Sequence, residues 1–185
     1  MRAIITGGPG AGCTSTAARV AAVLGVGHFD SDAYFHKPTD PPYQEQFSAE
    51  ERRELLGRDL QVGDSWIISG SIATWGLPDL GLTHGVVLAV GSAVRLERLE
   101  QRERARFAAR IEVGGDMREE HESFMAWAGG YETRNDLGRN LPTDLEFVCA
   151  QSQSSLVIRE ALGFEETCDV VRQFLAKAPT GFPAQ

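Results

Sequence analysis

The sequence predicts an α/β domain in which helices cover both faces of a parallel sheet, forming a three-layer sandwich. Short apolar runs alternate with segments of helical periodicity, and such runs are typical of strands that are buried on both faces. A glycine-rich loop directly follows the first run and precedes a helical pattern, as in a βαβ unit. The predicted strands lie at residues 3–6, 28–29, 66–69, 86–90 and 156–158.

Length and composition indicate a single globular domain. The chain has 185 residues, of which 42% are hydrophobic and 24% are charged, and one core of ordinary size accommodates them. We assign the domain to residues 1–177. The remaining residues, 178–185, are rich in proline, glycine and alanine, and we expect them to form a flexible tail.

Charge and cysteine content restrict the partners and the compartment. A formal net charge of −8 opposes binding to nucleic acid or to an anionic membrane over most of the surface. Cys13, Cys149 and Cys168 lack the spacing of a zinc site or a disulfide framework, which favours a reducing compartment. No apolar run is long enough for a signal peptide or a membrane span. We therefore expect a cytoplasmic protein, and the sequence does not predict its oligomeric state.

Capping motifs and helix breakers predict where helices begin and end. A side-chain acceptor stands three residues before a glutamate at three places, and each pair predicts a helix start. These pairs are Ser48 with Glu51, Asp116 with Glu119, and Thr143 with Glu146. The pair Gly129-Gly130 predicts a helix end. Three prolines, Pro38, Pro41 and Pro42, predict a loop between the second strand and the second helix.

The glycine loop has the pattern of a phosphate-binding P-loop. The segment Gly7-Gly8-Pro9-Gly10-Ala11-Gly12-Cys13-Thr14 matches G-x-x-x-x-G-K-[ST] except that Cys13 replaces the lysine. Backbone N–H groups at a helix N-terminus favour an anion, and Thr14 is placed to bind Mg²⁺. The alternative is a glycine-rich turn before an ordinary helix. The predicted nucleotide-binding residues are Gly7, Gly8, Gly10, Ala11, Gly12, Cys13, Thr14 and Ser15.

Replacement of the loop lysine by Cys13 bears on both charge and reactivity. The lysine of a P-loop supplies positive charge to the phosphates, and such electrostatic stabilisation carries most of phosphoryl transfer. Its loss is tolerated better by binding than by catalysis. A thiol at a helix N-terminus is predicted to be a reactive thiolate, and the alternative is a partly buried cysteine of ordinary reactivity.

Several segments together resemble a known group of proteins. The loop, residues 28–32, Tyr34-Phe35, residues 38–42 and residues 66–71 look like those of small bacterial adenylate-kinase-like P-loop proteins. More broadly, the chain resembles nucleoside monophosphate, shikimate and gluconate kinases, over most of residues 1–175. The resemblance implies a five-stranded sheet of order 2-3-1-4-5 and a mobile helical lid at about residues 102–140. It also implies transfer of a γ-phosphoryl group from ATP, or another nucleoside triphosphate, to a small acceptor.

Two aspartates are predicted at the end of the second strand. Asp30 and Asp32 lie two residues apart, so in extended geometry both side chains face the crevice beyond the strand ends. Similarity to the Asp-x-Asp pair of shikimate and gluconate kinases implies that Asp30 helps to bind Mg²⁺ and that Asp32 orients or deprotonates the acceptor. The alternative is that both are helix caps or turn residues.

The acceptor site departs from that of adenylate kinases. After the third strand the chain has Ser69-Gly70-Ser71, without the acid and arginine that adenylate kinases carry in this region. We expect Tyr34, Gly70, Ser71 and Trp75, together with Asp32, to line a pocket for another small molecule. Trp75 is equally compatible with the core.

A run of arginines is the candidate source of positive charge for the phosphates. Arg98, Arg102, Arg106 and Arg110 recur every four residues, which places them along one helical stripe. The alternative is a solvated helix face with i,i+4 salt bridges. In related kinases the lid follows this helix, so the resemblance favours Arg102, Arg106 and Arg110 as residues that contact the γ-phosphate on closure.

These residues support a nucleotide or small-molecule kinase as the leading hypothesis. A non-catalytic nucleotide sensor, or a slow regulatory ATPase, is the alternative, because Cys13 replaces the loop lysine.

Overall fold

A computed structural model describes residues 1–40, 42–136 and 138–181 of the chain. Five parallel strands form one sheet in the order β2-β3-β1-β4-β5, which confirms the expected topology. The strands are β1 (Arg2–Gly7), β2 (Gly27–Asp30), β3 (Trp66–Ser69), β4 (Leu82–Leu88) and β5 (Ser152–Ile158). The helices are α1 (Cys13–Leu24), α2 (Ser31–Phe35), α3 (Ala49–Asp59), α4 (Ser92–Phe107), α5 (Arg118–Gly129), α6 (Leu141–Gln151) and α7 (Phe164–Leu175).

The core lies on both faces of the sheet because successive side chains of each strand point in opposite directions. In β1, Ala3 and Ile5 pack with residues of α1 and α7, whereas Ile4 packs with residues of α3 and α6. All three side chains are fully buried. Burial of each large aliphatic side chain stabilises the fold by about 1.5–3 kcal/mol, so this double-sided core holds the three layers together.

The two strands at one side of the sheet differ from their predicted bounds. The apolar pattern placed the fourth strand at residues 86–90, but β4 begins four residues earlier and ends at Leu88. The fifth strand was predicted at residues 156–158, and β5 begins earlier, at Ser152. Because β5 pairs only with β4 and is therefore an edge strand, its polar start is tolerated, and hydrophobicity alone did not reveal it.

Helix caps are confirmed in one case and wrong in two. Ser48 and Glu51 form a reciprocal capping box at the start of α3, as predicted. Asp116 does not cap α5, which begins at Arg118. Thr143 lies inside α6, whose cap is Asn140. The predicted stop at Gly129-Gly130 is confirmed, since α5 ends there.

The region after β2 contains a helix that the sequence did not predict. The strand passes directly into α2, and the proline-containing loop follows that helix before α3 begins. Within this loop Pro41 lies outside the described residues, as do residues 182–185 of the predicted tail. None of the described helices is long and apolar enough to cross a membrane.

Candidate phosphate-binding and acceptor site

The glycine loop lies at the carboxyl end of the central strand, between β1 and α1. A parallel α/β sheet places its binding crevice at this edge. Inside the loop the Ala11 amide donates to the Gly8 carbonyl at 3.0 Å, and the Thr16 amide donates to the Gly12 carbonyl at 2.9 Å. The loop is therefore a closed turn that passes directly into the first turn of α1.

Two glycines of the loop occupy backbone conformations that favour glycine. Gly10 has φ of +84°, and a Cβ there would lie 2.4 Å from the Arg95 carbonyl oxygen. Gly12 has φ of +94°, and a Cβ there would meet only the Thr16 hydroxyl, at 4.0 Å. Gly10 is thus required for packing below the loop, whereas the Cβ position at Gly12 points into open space.

The N-terminus of α1 has no side-chain cap. Gly12 is its N-cap residue and supplies no side-chain acceptor, so the N–H groups of the first turn are not bonded by a cap. The helix dipole adds a partial positive charge at the same point. The starts of α4, α5 and α7 also lack a side-chain cap, whereas Ser48 caps α3 and Asn140 caps α6, so the glycine loop rather than the missing cap distinguishes α1. The loop and the uncapped turn together form a cradle that suits a phosphate group.

Arg95 of α4 lies beneath the loop and is hydrogen-bonded to it. This arginine of α4 is fully buried and its Nη1 donates to the Pro9 carbonyl oxygen at 2.7 Å. Its guanidinium also forms an ion pair with Glu132 at 2.5 Å and donates to the carbonyls of Val90 and Ala128. One buried side chain therefore joins the loop, α4 and the end of α5. A desolvated charge with this many partners is costly to disrupt.

Cys13, in the lysine position, is a buried and weakly acidic thiol. Its side chain is 7% exposed, and burial raises its pKa to about 12, although the charge of Arg139 acts in the opposite direction. The prediction of a reactive thiolate is therefore wrong. Desolvation outweighs the helix dipole because a thiolate at this depth loses its hydration. The thiol is neutral near pH 7 and brings neither positive nor negative charge to the cradle.

Arg139 brings a positive charge to the loop. Its Nη2 donates to the Gly7 carbonyl oxygen at 2.8 Å. Its Nε is buried without a hydrogen-bond partner, and it forms no ion pair within the described residues. Its backbone is held in place, because Arg134 donates to its carbonyl at 2.7 Å and the next residue, Asn140, is the buried cap of α6.

A buried acid lies close to Arg139. Asp144 of α6 is 1% exposed and accepts hydrogen bonds from the Ser71 hydroxyl at 2.6 Å and the Tyr131 hydroxyl at 2.7 Å. Burial raises its pKa, while these hydrogen bonds and the Arg139 charge lower it. This network joins the end of β3, the segment after α5 and α6 on the acceptor side of the loop.

Thr14 and Asp30 bring two oxygen ligands together beside the loop. The Thr14 side chain is exposed and lies close enough to the Asp30 carboxyl to lower its pKa, although burial raises it by more. Hydroxyl and carboxylate oxygens are the donors that Mg²⁺ prefers. No group of three His, Cys, Asp or Glu side chains suited to a metal occurs in the described part of the chain. Mg²⁺ with a bound nucleotide needs only one or two protein ligands, so the Thr14–Asp30 pair fits it.

Asp32 is exposed, and its position differs in geometry from the prediction. The expectation that both aspartates continue an extended strand is wrong, because β2 ends at Asp30 and α2 begins at Ser31. Asp30 caps α2 by accepting the Asp32 amide at 3.1 Å, so the alternative role as a cap applies to Asp30. The turn still leaves the two carboxyl groups near each other, since the charge of Asp32 raises the pKa of Asp30.

The predicted acceptor-lining residues are engaged in different ways. Trp75 is 6% exposed and packs in the core, which is the alternative given above. The Tyr34 hydroxyl donates to Asp59 at 3.0 Å. Gly70 has φ of +90° and no room for a Cβ, which would lie 2.1 Å from the Ser31 hydroxyl. Ser71 joins the acid network through its bond to Asp144, and the Gly70 amide donates to the Ile5 carbonyl of β1 at 3.0 Å.

The predicted arginine stripe is interrupted. Helix α4 ends at Phe107, and Ala108 has φ of +45°, so Arg110 belongs to a separate short 3-10 helix, Ala108–Ile111. The candidate lid arginines bond to side chains outside the glycine loop, and two of the three contacts are exposed. These contacts are Arg102 with Glu103 at 3.2 Å, Arg106 with the Tyr43 hydroxyl, and Arg110 with Asp116 at 2.8 Å.

Sequence reasoning missed the residues that surround the loop from other elements. Arg95 lies one helical turn before the predicted arginine stripe, and nothing in the sequence distinguished it from the exposed arginines. Arg139 had one usable signal, because it precedes Asn140, and an asparagine followed closely by proline is a strong helix start. The capping prediction at Thr143 concealed that start and placed the cap three residues too late.

Comparison with known proteins gives one sequence relative and several structural ones. No family model matches the chain. The chain is 28% identical over 173 residues to the uncharacterized protein YqaC of Bacillus subtilis, covering 93% of this chain and 96% of that protein.

Solved kinases share the architecture. Shikimate kinase from Bacteroides thetaiotaomicron superposes with a TM-score of 0.52 at 21% identity, covering 95% of this chain and 98% of that one. Deoxyadenosine kinase from M. mycoides with bound dATP superposes with a TM-score of 0.56 at 12% identity, covering 96% and 100%. The chain has a P-loop kinase-like fold. Identities this low establish the fold alone.

Proposed function

We propose that this protein binds a nucleoside triphosphate with Mg²⁺ and transfers the γ-phosphoryl group to a small-molecule acceptor. The observation that carries the proposal is the uncapped start of α1 behind a glycine loop, at the carboxyl edge of a kinase-like sheet. An anion is the ligand that this arrangement favours, and a nucleotide phosphate chain fits a cradle at this edge.

The nucleotide half of the site would use mainly backbone. The N–H groups of Gly8 and of residues 10–15 would bind the phosphate oxygens, with the Ala11 amide shared with the Gly8 carbonyl. The side chains of Thr14 and Asp30 hold Mg²⁺, directly or through water. The ion neutralises charge on the β- and γ-phosphates, and it needs only these few protein ligands.

The acceptor half would centre on Asp32. Its carboxylate accepts the proton of the acceptor hydroxyl as the hydroxyl oxygen bonds to the γ-phosphorus. The bond from phosphorus to the bridging oxygen breaks at the same time, and the nucleoside diphosphate leaves. Gly70 and Ser71 form the neighbouring wall, and the packed Trp75 and Tyr34 support it from behind.

A lid at about residues 102–140 would close over the bound substrates, while its C-terminal end stays bonded to Arg95 through Glu132 and to the loop through Arg139. Arg102, Arg106 and Arg110 are our candidates for reaching the γ-phosphate, and closure must first break their present contacts. The contacts of Arg106 and Arg110 are exposed, and exposed pairs contribute at most about 1 kcal/mol each, so substrate binding can compensate for their loss. The Arg102 contact ends on the buried Glu103. We retain residues 1–177 as the kinase-like domain and residues 178–185 as its tail.

A nucleotide sensor is the second candidate, and Cys13 is the observation that favours it. A neutral, buried thiol replaces the charge that P-loop enzymes direct at the transferring phosphate. A sensor would bind Mg-ATP and change conformation without acceptor-dependent turnover. A slow regulatory ATPase would release ADP at a rate that no acceptor alters.

The test has two parts. Calorimetry with Mg-ATP and Mg-GTP measures binding, and a coupled assay of ADP formation with pools of nucleosides, nucleoside monophosphates, sugars and hydroxy acids measures transfer. We expect binding that requires Mg²⁺ and a pool that accelerates ADP formation. Binding without any acceptor dependence would select the sensor or the regulatory ATPase. Absence of binding to any nucleoside triphosphate would refute the whole proposal.

A further inference from the structure

The site as proposed lacks a cation at the lysine position, and the arginines of α4 do not supply it here. Arg95 lies beneath the loop, fully buried, and its charge is engaged by Glu132. Arg102 pairs with the buried Glu103, and Arg110, in the short 3-10 helix after α4, pairs with Asp116 at the surface. Before closure, the positive charge beside the loop must therefore come from another element.

Arg139 is the guanidinium that the fold places at the glycine loop with donor capacity to spare. Nη2 contacts the first glycine of the loop at 2.8 Å, Nε is buried without a partner, and no carboxylate within 4 Å neutralises the charge among the described residues. An arginine has five N–H donors, so one bond to a carbonyl leaves several for phosphate oxygens. A desolvated donor of this kind is stabilised by an incoming anion.

The same guanidinium lies near position 13. The positive charge of Arg139 is the largest influence lowering the pKa of the Cys13 thiol, so the two side chains share one electrostatic environment. A short neutral side chain at position 13 leaves room there, and it does not repel a neighbouring cation as a lysine would. The loss of lysine and the approach of Arg139 thus complement each other.

The backbone of Arg139 is positioned with little freedom. The buried Asn140 side chain donates to the carbonyls of Asp136 and Gly138, and it accepts the Thr143 amide at 2.8 Å. The Arg139 carbonyl itself accepts from Arg134. A phosphate-binding side chain on such a fixed backbone loses little entropy on binding, which is a property of preorganised sites.

We infer that Arg139 contributes the phosphate-binding charge that a lysine at position 13 would otherwise supply. The inference rests on the proposed function, because it requires a nucleoside triphosphate in the loop. The charge arrives from the segment that precedes α6 rather than from the loop itself. Nucleotide binding is thereby coupled to the order of that segment.

The experiment removes the positive charge at Arg139 and places one at position 13. Calorimetry with Mg-ATP compares the parent protein with Arg139→Gln, Cys13→Lys, and the double variant Cys13→Lys/Arg139→Gln. Arg19→Gln is the matched control, because it removes one positive charge from the exposed side of α1, where Arg19 pairs only with Glu165. We expect Arg139→Gln to weaken binding at least about 10-fold, Arg19→Gln to leave it within about 2-fold, and lysine at position 13 to restore most of the loss.

Alkylation of Cys13 provides a second measurement that needs neither nucleotide nor activity. Removing the Arg139 charge should raise the thiol pKa further and slow Cys13 labelling, relative to the exposed Cys149 of the same chain. Peptide-resolved rates at pH 9 in Arg139→Gln, Arg19→Gln and the parent report this. The measurement also decides the case if the lysine variants fail to fold.

The outcomes separate the inference from the proposed function. A parent protein that binds no nucleoside triphosphate overturns both. A parent that binds, with Arg139→Gln binding equally tightly, overturns the inference alone. A folded double variant that stays as weak as Arg139→Gln, or an unchanged Cys13 labelling rate in Arg139→Gln, also overturns it, because Arg139 would then act away from position 13.

Discussion

The two halves of the crevice are built differently. On the nucleotide side, the loop is bonded by Arg95 from beneath and by Arg139 from the side, and both bonds end on loop carbonyls. On the acceptor and lid side, Asp32 is exposed, and Arg106 and Arg110 make contacts at the surface. The phosphate cradle is therefore fixed before a ligand arrives, whereas the acceptor side depends on weak contacts that closure can rearrange.

This difference indicates how a P-loop can operate without its lysine. A lysine from the loop brings its own charge, and the loop then needs little from the remainder of the fold. On our proposal, the loop supplies backbone donors and the Thr14 hydroxyl, and charge comes from Arg139, more than a hundred residues away in sequence. We expect the nucleotide side to be sensitive to changes in those distant segments.

The largest expected effect is on binding at the cradle. Gly12→Val should weaken Mg-ATP binding by more than about 1,000-fold, or about 4 kcal/mol, since φ of +94° disfavours valine and its methyl groups enter the phosphate space. Calorimetry measures this effect. Gly25→Val is the matched control, because Gly25 is the left-handed cap at the other end of α1, with nothing within 4 Å of its Cβ position. Equal binding by both variants would place the nucleotide elsewhere.

The second effect tests how much the buried hydrogen bonds of Arg95 contribute to the stability of the fold. Arg95→Met should lower the free energy of unfolding by about 3–5 kcal/mol, because it leaves a carboxylate and buried carbonyls without their donor. Arg98→Met, an exposed arginine one turn along α4, should change it by less than about 0.5 kcal/mol. Urea unfolding of both variants measures the difference. If both variants lost a similar free energy of unfolding, the buried hydrogen bonds of Arg95 would not stabilise the fold more than an exposed arginine does.

The third effect belongs to the acceptor side. Asp32→Asn should lower acceptor-dependent turnover by about 100-fold or more, while Mg-ATP binding stays within a few fold of the parent. The amide retains the volume and loses the ability to accept a proton. Asp64→Asn, another exposed aspartate, is the control. Steady-state kinetics with the acceptor found by screening, together with calorimetry, separates the two effects. If Asp32→Asn lowered turnover and Mg-ATP binding to the same extent, Asp32 would act in nucleotide binding rather than on the acceptor.

On the nucleotide side, local sequence patterns predicted the strand order and the loop but not the arginines that hold the loop. The strand order and the position of the glycine loop are correct, because a buried parallel strand and a glycine turn leave signals within a few residues. Arg95 and Arg139 were not assigned to the loop, because their hydrogen-bond partners lie in distant segments. A sequence alone does not show which of its arginines is buried. Cys13 was interpreted from its helix position, whereas its burial decides its acidity.

On the acceptor side, the sequence located the residues but not their geometry. Asp30 ends β2 beside Thr14, as expected, whereas Asp32 lies in the first turn of α2. Helix α2, in which Asp32 lies, is only five residues long. Such a helix is too short for its periodicity to be recognised, so both aspartates were expected in an extended strand. The residues of a site were thus easier to find than the turns that orient them.

The smallest expected effect is a pH dependence of the acceptor side. His36 begins the loop after α2 and packs against Tyr43, with ring centroids 4.9 Å apart, and burial lowers its pKa below the ordinary value of 6.5. Above pH 6.5 the imidazole is neutral in both the folded and the unfolded chain, and its contribution to stability is complete. As the pH falls from 6.5, the unfolded chain takes up the proton first, so stability is lost through the lowered folded-state pKa.

Replacing this imidazole should therefore reduce the loss of stability in acid. We expect His36→Gln to lose less free energy of unfolding than the parent between pH 7.5 and pH 5.0, by under about 1 kcal/mol after solvent screening. Part of the loss should remain, because burial lowers the pKa of His28 and His84 as well. The other titratable groups are present in both proteins, so the difference between two urea series isolates His36 together with its interaction with Asp32. An equal or greater loss in the variant would show that the acceptor loop does not desolvate this side chain, and that the acceptor side is even less ordered than its contacts with Tyr43 imply.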